Sequence, residues 1–134
     1  MNDCLFCKIV SGEIPCNKVY EDENYLAFLD INPINLGHTL VIPKQHSRNI
    51  LEIDEKTLQE IILIVKNLSN KIREKLKCDG INVMINNEPD AGQIIFHTHI
   101  HIIPRFKGDS LKHWQGVTSP STEDLEKTKN LLSN

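Results

Sequence analysis

Apolar residues in this chain follow two rhythms, and the switch between them marks its elements. Leu58, Ile61, Ile62, Val65, Leu68, Ile72 and Leu76 recur mostly at three and four, which predicts one long amphipathic helix over Glu55 to Leu76 with Asp54 as N-cap. The same spacing at Leu5, Phe6, Ile9 and Val10 predicts a short helix over Cys4 to Ser11, with Gly12 as its stop. Elsewhere short apolar runs are cut by turn residues. Lys18 to Glu21 and Tyr25 to Asp30 read as a hairpin around Asp22-Glu23-Asn24. His38 to Ile42 is a third strand closed by Pro43, and Ile81 to Asn86 and Ile94 to Ile103 are the last two, joined through Glu88-Pro89-Asp90-Ala91-Gly92. Ser121 to Leu132 predicts a short terminal helix, and Lys107 to Pro120 a loop carrying the only Trp. Because strands and helices do not alternate as βαβ units, the expected fold class is α+β, an antiparallel sheet of about five strands with its helices on one side. Leu63 and Ile64 fall off the long helix's stripe. They read as singly exposed residues or as an extension of the apolar face toward a second subunit.

A chain of 134 residues suits one domain, 1–134, and no linker or internal repeat divides it. The net charge of -3, without a run of either sign, argues against nucleic-acid or membrane-surface binding by bulk electrostatics. The longest apolar run, Ile61 to Val65, is far too short to span a bilayer, and Met1-Asn2-Asp3-Cys4 has no basic region ahead of a long apolar stretch. The expectation is a cytoplasmic protein with reduced thiols, which turns Cys4 and Cys7 away from a disulfide and toward a metal. Cys16 and Cys78 are isolated and read as small hydrophobes.

Six His in so short a chain would be unremarkable if scattered, but three alternate in Phe96-His97-Thr98-His99-Ile100-His101-Ile102. In an extended strand His97, His99 and His101 share one face, and Thr98, Ile100 and Ile102 the core-facing one. Such a row of half-buried polar rings is costly unless each finds a partner. Two uses compete. Same-face residues stand about 6.6 Å apart while zinc binds nitrogen at about 2.1 Å, so two neighbours could share a metal but hardly all three. Alternatively one imidazole attacks phosphorus while its neighbours assist; its pKa of about 6.5 leaves much of it neutral at pH 7. That chemistry needs donors to phosphate oxygens, for which Asn86, Gln93 and the Ala91-Gly92 turn lie close in sequence, and His38 could orient the nucleophile. Cys4-x-x-Cys7 has zinc spacing but needs two more ligands, which His46 and one of the row could supply.

The run His97-Thr98-His99-Ile100-His101-Ile102-Ile103 resembles the signature of the histidine triad (HIT) superfamily. The resemblance extends over Leu5-Phe6-Cys7-Lys8-Ile9, Glu13-Ile14-Pro15, Phe28-Leu29-Asp30-Ile31, His38 to Lys44 and Ala91-Gly92-Gln93, and is nearest to the Hint-related, bacterial-type branch. It implies the HIT fold, a homodimer, and a hydrolase or transferase acting on purine nucleotides, either nucleoside phosphoramidates or dinucleoside polyphosphates. Position by position it implies His99 as the nucleophile forming a nucleotidyl-histidine, His101 beside the phosphate and leaving group, and His38 in support. It also implies Asp30 at the ribose hydroxyls, Phe6, Ile9, Phe28, Ile31 and Leu40 around the purine, and Asn86 on the nucleotide's phosphate side, with Gln93, the candidate donor named above, counted among the nucleotide-binding residues. Zinc on Cys4, Cys7, His46 and His97 is implied by the members that carry it. A regulatory nucleotide-binding module would share every pocket residue, and a zinc hydrolase using the triad directly is a further alternative. Ile94 departs from the branch, which has a phosphate-contacting Ser there. The C-terminal part does not align firmly; by their residue types His113 reads as a surface residue and Trp114 as a local packing anchor.

Overall fold

The computed structural model describes residues 3–116 and 119–133; Met1, Asn2, Val117, Thr118 and Asn134, which the N-terminal, loop and C-terminal readings touch, lie outside the described residues. In chain order the elements are α1 (Leu5–Val10), β1 (Lys18–Glu21), β2 (Tyr25–Leu29), β3 (Thr39–Pro43), α2 (Glu55–Leu76), β4 (Gly80–Met84), a single 3-10 turn at Pro89–Ala91, β5 (Ile100–Arg105) and α3 (Thr122–Ser133). The strands form one antiparallel sheet in the order β1-β2-β3-β5-β4. The expected α+β class with five antiparallel strands is what the chain adopts. Among the described residues no helix is long and apolar enough to cross a membrane.

Local chemistry accounts for the ends of these elements. Asp54 caps α2 by accepting from the backbone N–H of Thr57 at 3.0 Å, and Lys77 closes the helix in the left-handed conformation. The Cys4 thiol caps α1, accepting from the Cys7 N–H at 3.4 Å, and Gly12 turns the chain away at φ 84°. Asp22 Oδ1 accepts from the backbone N–H groups of Asn24 and Tyr25 and so builds the hairpin turn. Gly37 adopts φ 100°, and a side chain there would run into Leu76 and Pro104; only glycine lets the chain pass and deliver His38 into the sheet.

The core has two halves, one on each side of the sheet. Tyr25, Ala27, Val41, Ile100 and Ile102 face α2, where Ile61, Val65 and Leu68 cover them. The alternate residues Leu26, Phe28, Leu40 and Ile42 face the other way, against Phe6 and Ile9 of α1. The helices therefore do not share one side as expected. In the runs Tyr25–Leu29 and Thr39–Pro43 nearly every residue is buried, so both faces of these central strands need a cover. The stripe of α2 also shifts: Ile64 packs on the core, while Ile62 is 45% exposed. At 100° per residue, Ile64 lies within the arc centred on Ile61, Val65 and Leu68, and Ile62 lies outside it.

Two further expectations change. β5 starts at Ile100 instead of Ile94, pairing with β3 only through Val41↔Ile100, Leu40↔His101 and Thr39↔Ile102. Residues 94–99 lie outside any strand, bent over 95–97 and held by the Gln93 side chain on the Ile95 carbonyl and by Ser47 on Thr98. Pro43 and Pro104 are each inside a strand, not beyond it, because each lies past the last β3–β5 pair, where one side of its strand no longer has that neighbour. Trp114, read as a packing anchor, is 89% exposed, and no residue of α3 is buried. Ile102 is fully buried between β3, β4 and α2, so Ile102→Ala should cost about 2–5 kcal/mol in a urea titration of unfolding. An unchanged midpoint and slope would contradict this view of the core.

Candidate functional site

The α1 face of the sheet does not close completely. Between α1 and the strand ends lies a cleft of about 460 Å³, lined by the apolar side chains of Phe6, Ile9, Phe28 and Leu40 and by His99 and His101. Asp30, Ile31, Asn86, Gly92 and Ile94 line it too, and the register that sets Met84 opposite His101 brings Asn86 toward His99. Ile14, Pro15, Cys16 and Ile95 complete the apolar wall. Ile14 and Pro15 had carried only the family resemblance, and nothing in their spacing marked them as cleft residues. Phe6 binds the two regions together, its ring lying edge-on to Phe28 at 5.4 Å and to His99 at 5.1 Å between centroids.

Hydrogen-bond partners, most of them backbone groups, determine which nitrogen of each imidazole carries the proton. His38 Nδ1 accepts from the N–H of Ile34 at 3.1 Å, so its proton is on Nε2, which donates to His101 Nδ1 at 2.9 Å. His101 is left with its N–H at Nε2, a buried atom without a hydrogen-bond partner among the described residues. His99 Nδ1 donates to the carbonyl of His97 at 2.7 Å, leaving Nε2 as a bare lone pair. One ring thus offers a nucleophile and its neighbour, 4.9 Å away between centroids, offers a donor. Asp30 Oδ2 lies 3.7 Å from His38 Nε2, within reach to stabilise positive charge there.

Burial keeps these rings neutral. It lowers His38 and His99 below the ordinary imidazole range, while burial together with the neighbouring His99 and His38 pushes His101 down to about 4.

His97 is turned the other way and serves a second cluster. Its Nε2–H donates to the Pro43 carbonyl at 2.7 Å, so the Nδ1 lone pair faces Cys4 Sγ at 3.4 Å, Cys7 Sγ at 3.6 Å and His46 Nδ1 at 3.3 Å. The four donor atoms all lie within 4.8 Å of one another. Ligands around a tetrahedral zinc with bonds of about 2.1–2.3 Å stand about 3.4–3.8 Å apart, so this set fits the ion in type, number and spacing. Burial and the adjacent Cys4 push the Cys7 thiol up to about 11; a cation that binds thiolate reverses that preference.

The triad is thus divided between two sites. Only His101 belongs to a strand, and the straight three-histidine row is corrected by the bend over residues 95–97. Gln93 is also corrected. Its side chain is 3% exposed, accepts from Glu88 N and Asn49 Nδ2, and donates to the carbonyls of Arg48 and Ile95, so it has no capacity left for a ligand. The partners that organise the site, Ile34 N–H and the Pro43 and His97 carbonyls, are backbone groups that residue identity does not reveal.

Comparison with known proteins follows the same lines. The HIT domain family model matches residues 11–108. An uncharacterized HIT-like protein of Borreliella burgdorferi is 45% identical over 133 residues, covering 98% of this chain and 94% of that protein. Adenylylsulfatase HINT3 of Arabidopsis thaliana is 47% identical over 110 residues, 82% of this chain and 56% of that one. The crystal structure of SMU.412c from Streptococcus mutans superposes with a TM-score of 0.93 at 44% identity, over 98% of this chain and 84% of that one. A Zn-bound histidine triad family protein from Mycobacterium smegmatis gives a TM-score of 0.79 at 36% identity, over 97% and 98%.

The lowered imidazoles carry a consequence for stability. The unfolded chain takes up protons on these histidines near pH 6.5, whereas the folded chain resists them until lower pH, so stability is complete above 6.5 and falls as the pH drops toward 4. Urea unfolding should give a lower free energy at pH 5 than at pH 7, and His101→Gln should flatten the difference; a larger free energy at pH 5 would refute the assignment.

Proposed function

The chain belongs to the HIT family, and from that premise we propose that it is a nucleotide hydrolase or transferase that works through a covalent nucleotidyl group on His99. The observation that carries the reading is the relay from Ile34 N–H through His38 and His101, which puts a free donor beside the bare Nε2 of His99 in one cleft. A purine fits the apolar slot of Phe6, Ile9, Phe28, Ile31 and Leu40, and the Asp30 carboxylate accepts from ribose hydroxyls. The α-phosphorus then lies toward His99, with the Asn86 amide on the phosphate side. His99 Nε2 attacks, forming a P–N bond as the bond to the leaving group breaks, and His101 Nε2–H donates to the departing atom. Water next attacks phosphorus, its proton passing to His101 Nε2 as the P–N bond breaks, and a nucleoside monophosphate leaves with His99 and His101 both restored. The substrates that suit this chemistry are nucleoside phosphoramidates and dinucleoside polyphosphates.

Zinc belongs to this proposal as a structural ion on Cys4, Cys7, His46 and His97. When bound, it supplies a crosslink joining the start of α1, the loop after β3 and the segment ahead of β5. Those residues hold Phe6 and His99 in register, and the ion takes no part in the reaction. The homodimer is proposed as well. β4 is an open edge of the sheet, with Val83 46% exposed and Leu63 of α2 61% exposed, an apolar margin that a second copy would cover.

His99→Ala should lower kcat on an adenosine phosphoramidate by about 10³-fold or more while AMP binding, measured by calorimetry, stays within a few-fold. Turnover at the parental rate would remove the covalent step. Metal analysis of the purified chain should find one zinc per chain, and Cys7→Ala should lose it with a clear fall in Tm. A chain that holds no metal, or a chelator that stops turnover without lowering Tm, would overturn the structural role.

A further inference from the structure

The turn that carries Asn86 and Gly92 to the cleft is bent through an unfavourable residue. Glu88 has φ 75° and ψ 158°, a region that side chains avoid and that glycine occupies readily. Its carboxylate does not cap the 3-10 turn that follows. Instead it reaches over to the loop after β3: Oε2 accepts from Arg48 Nε and Oε1 from Arg48 Nη2, each at 2.8 Å, and Asn49 Nδ2 also donates to Oε2. The backbone of the same residue is fully engaged, donating to Gln93 Oε1 at 2.8 Å and accepting from the N–H groups of Ala91 and Gln93. The Arg48 guanidinium lies over the Phe96 ring at 4.4 Å, which fixes the other end of the grip.

Stability alone does not explain this arrangement. Both partners are nearly half exposed, and exposed ion pairs add little to folding. What the grip does accomplish is geometric: it holds a strained residue two positions from Asn86 and four from Gly92, both of which border the cleft beside His99 and His101. Glu88 itself does not line the cleft.

We infer that Glu88 is a positioning residue for the substrate's phosphate, its two-pronged grip on Arg48 setting where Asn86 and the Gly92–Ile94 backbone stand relative to His99. The inference rests on the nucleotidyl-transfer reading given above. The apolar slot of Phe6, Ile9, Phe28 and Leu40 is built by α1, β2 and β3, and Asp30 follows β2; the grip touches none of these elements, so it acts on phosphate and leaves the nucleoside half untouched.

The experiment compares Glu88→Ala, Glu88→Gln and Glu88→Gly with the parent for turnover of an adenosine phosphoramidate and for binding of AMP and adenosine. Glu88→Ala, which loses the grip and keeps the strain, should lower kcat by about tenfold and weaken AMP several-fold, with adenosine affinity unchanged. Glu88→Gln, whose amide oxygen still accepts from Arg48, should recover most of the loss. Glu88→Gly should be as slow as Glu88→Ala although its backbone is relaxed, separating position from strain. Parental kcat and AMP affinity in Glu88→Ala would overturn the inference while leaving the nucleotidyl reading in place. An equal loss of AMP and adenosine affinity would likewise overturn it, as the mark of general loosening. A parent that neither binds AMP nor turns over overturns both.

Discussion

The Nε2–H of His97 donates to the carbonyl of Pro43, the last residue of β3, across 54 residues of sequence. A carbonyl oxygen can only accept, so this one contact places the lone pair of His97 on Nδ1, facing the thiols of Cys4 and Cys7. The carbonyl of His97 in turn accepts from His99 Nδ1 and bares Nε2 toward the cleft. A single short segment of backbone therefore serves two adjacent sites with opposite demands. One needs an imidazole that gives its lone pair to a cation, the other an imidazole that gives it to phosphorus.

Burial is the second constraint, and it acts with the first. Each ring is desolvated far enough to disfavour its charged form, which keeps lone pairs available at neutral pH. Desolvation would be costly for unpaired polar rings, yet among the described residues every ring nitrogen of His38, His97, His99 and His101 but two has a protein partner or a place in the thiol cluster. Those two, His99 Nε2 and His101 Nε2–H, are the pair the proposed chemistry requires. The sheet makes this possible because α2 covers the other face of the same strands, so the α1 face can leave a cleft open without forfeiting the fold.

The loop after β3 ties these parts together. It carries His46 to the thiols, Ser47 to the backbone and side chain of Thr98, and Arg48 and Asn49 to the turn before Gly92. Gln93, buried at the centre of these contacts, spends all four of its hydrogen-bonding positions on holding loop and turn together. Its place next to the cleft border explains why it resembles a ligand-binding residue when only its position in the chain is considered.

Much was legible from the chain alone wherever the determining physics is local. The bounds of α2, its Asp54 cap and the Asp22 turn follow from interactions that span a few residues, and the structure reproduces them. The chemistry-bearing set of Cys4, Cys7, His38, His46, His97, His99 and His101 was likewise visible from residue type and from resemblance. What the tertiary structure decided is which nitrogen each histidine presents, that the row bends before β5, that helices cover both faces, and that Gln93 turns inward. These depend on donors and acceptors that meet across tens of residues, many of them backbone atoms common to every side chain. Spacing along the chain records a local period, whereas the partner of a hydrogen bond between Pro43 and His97 exists only once the sheet has brought the two together.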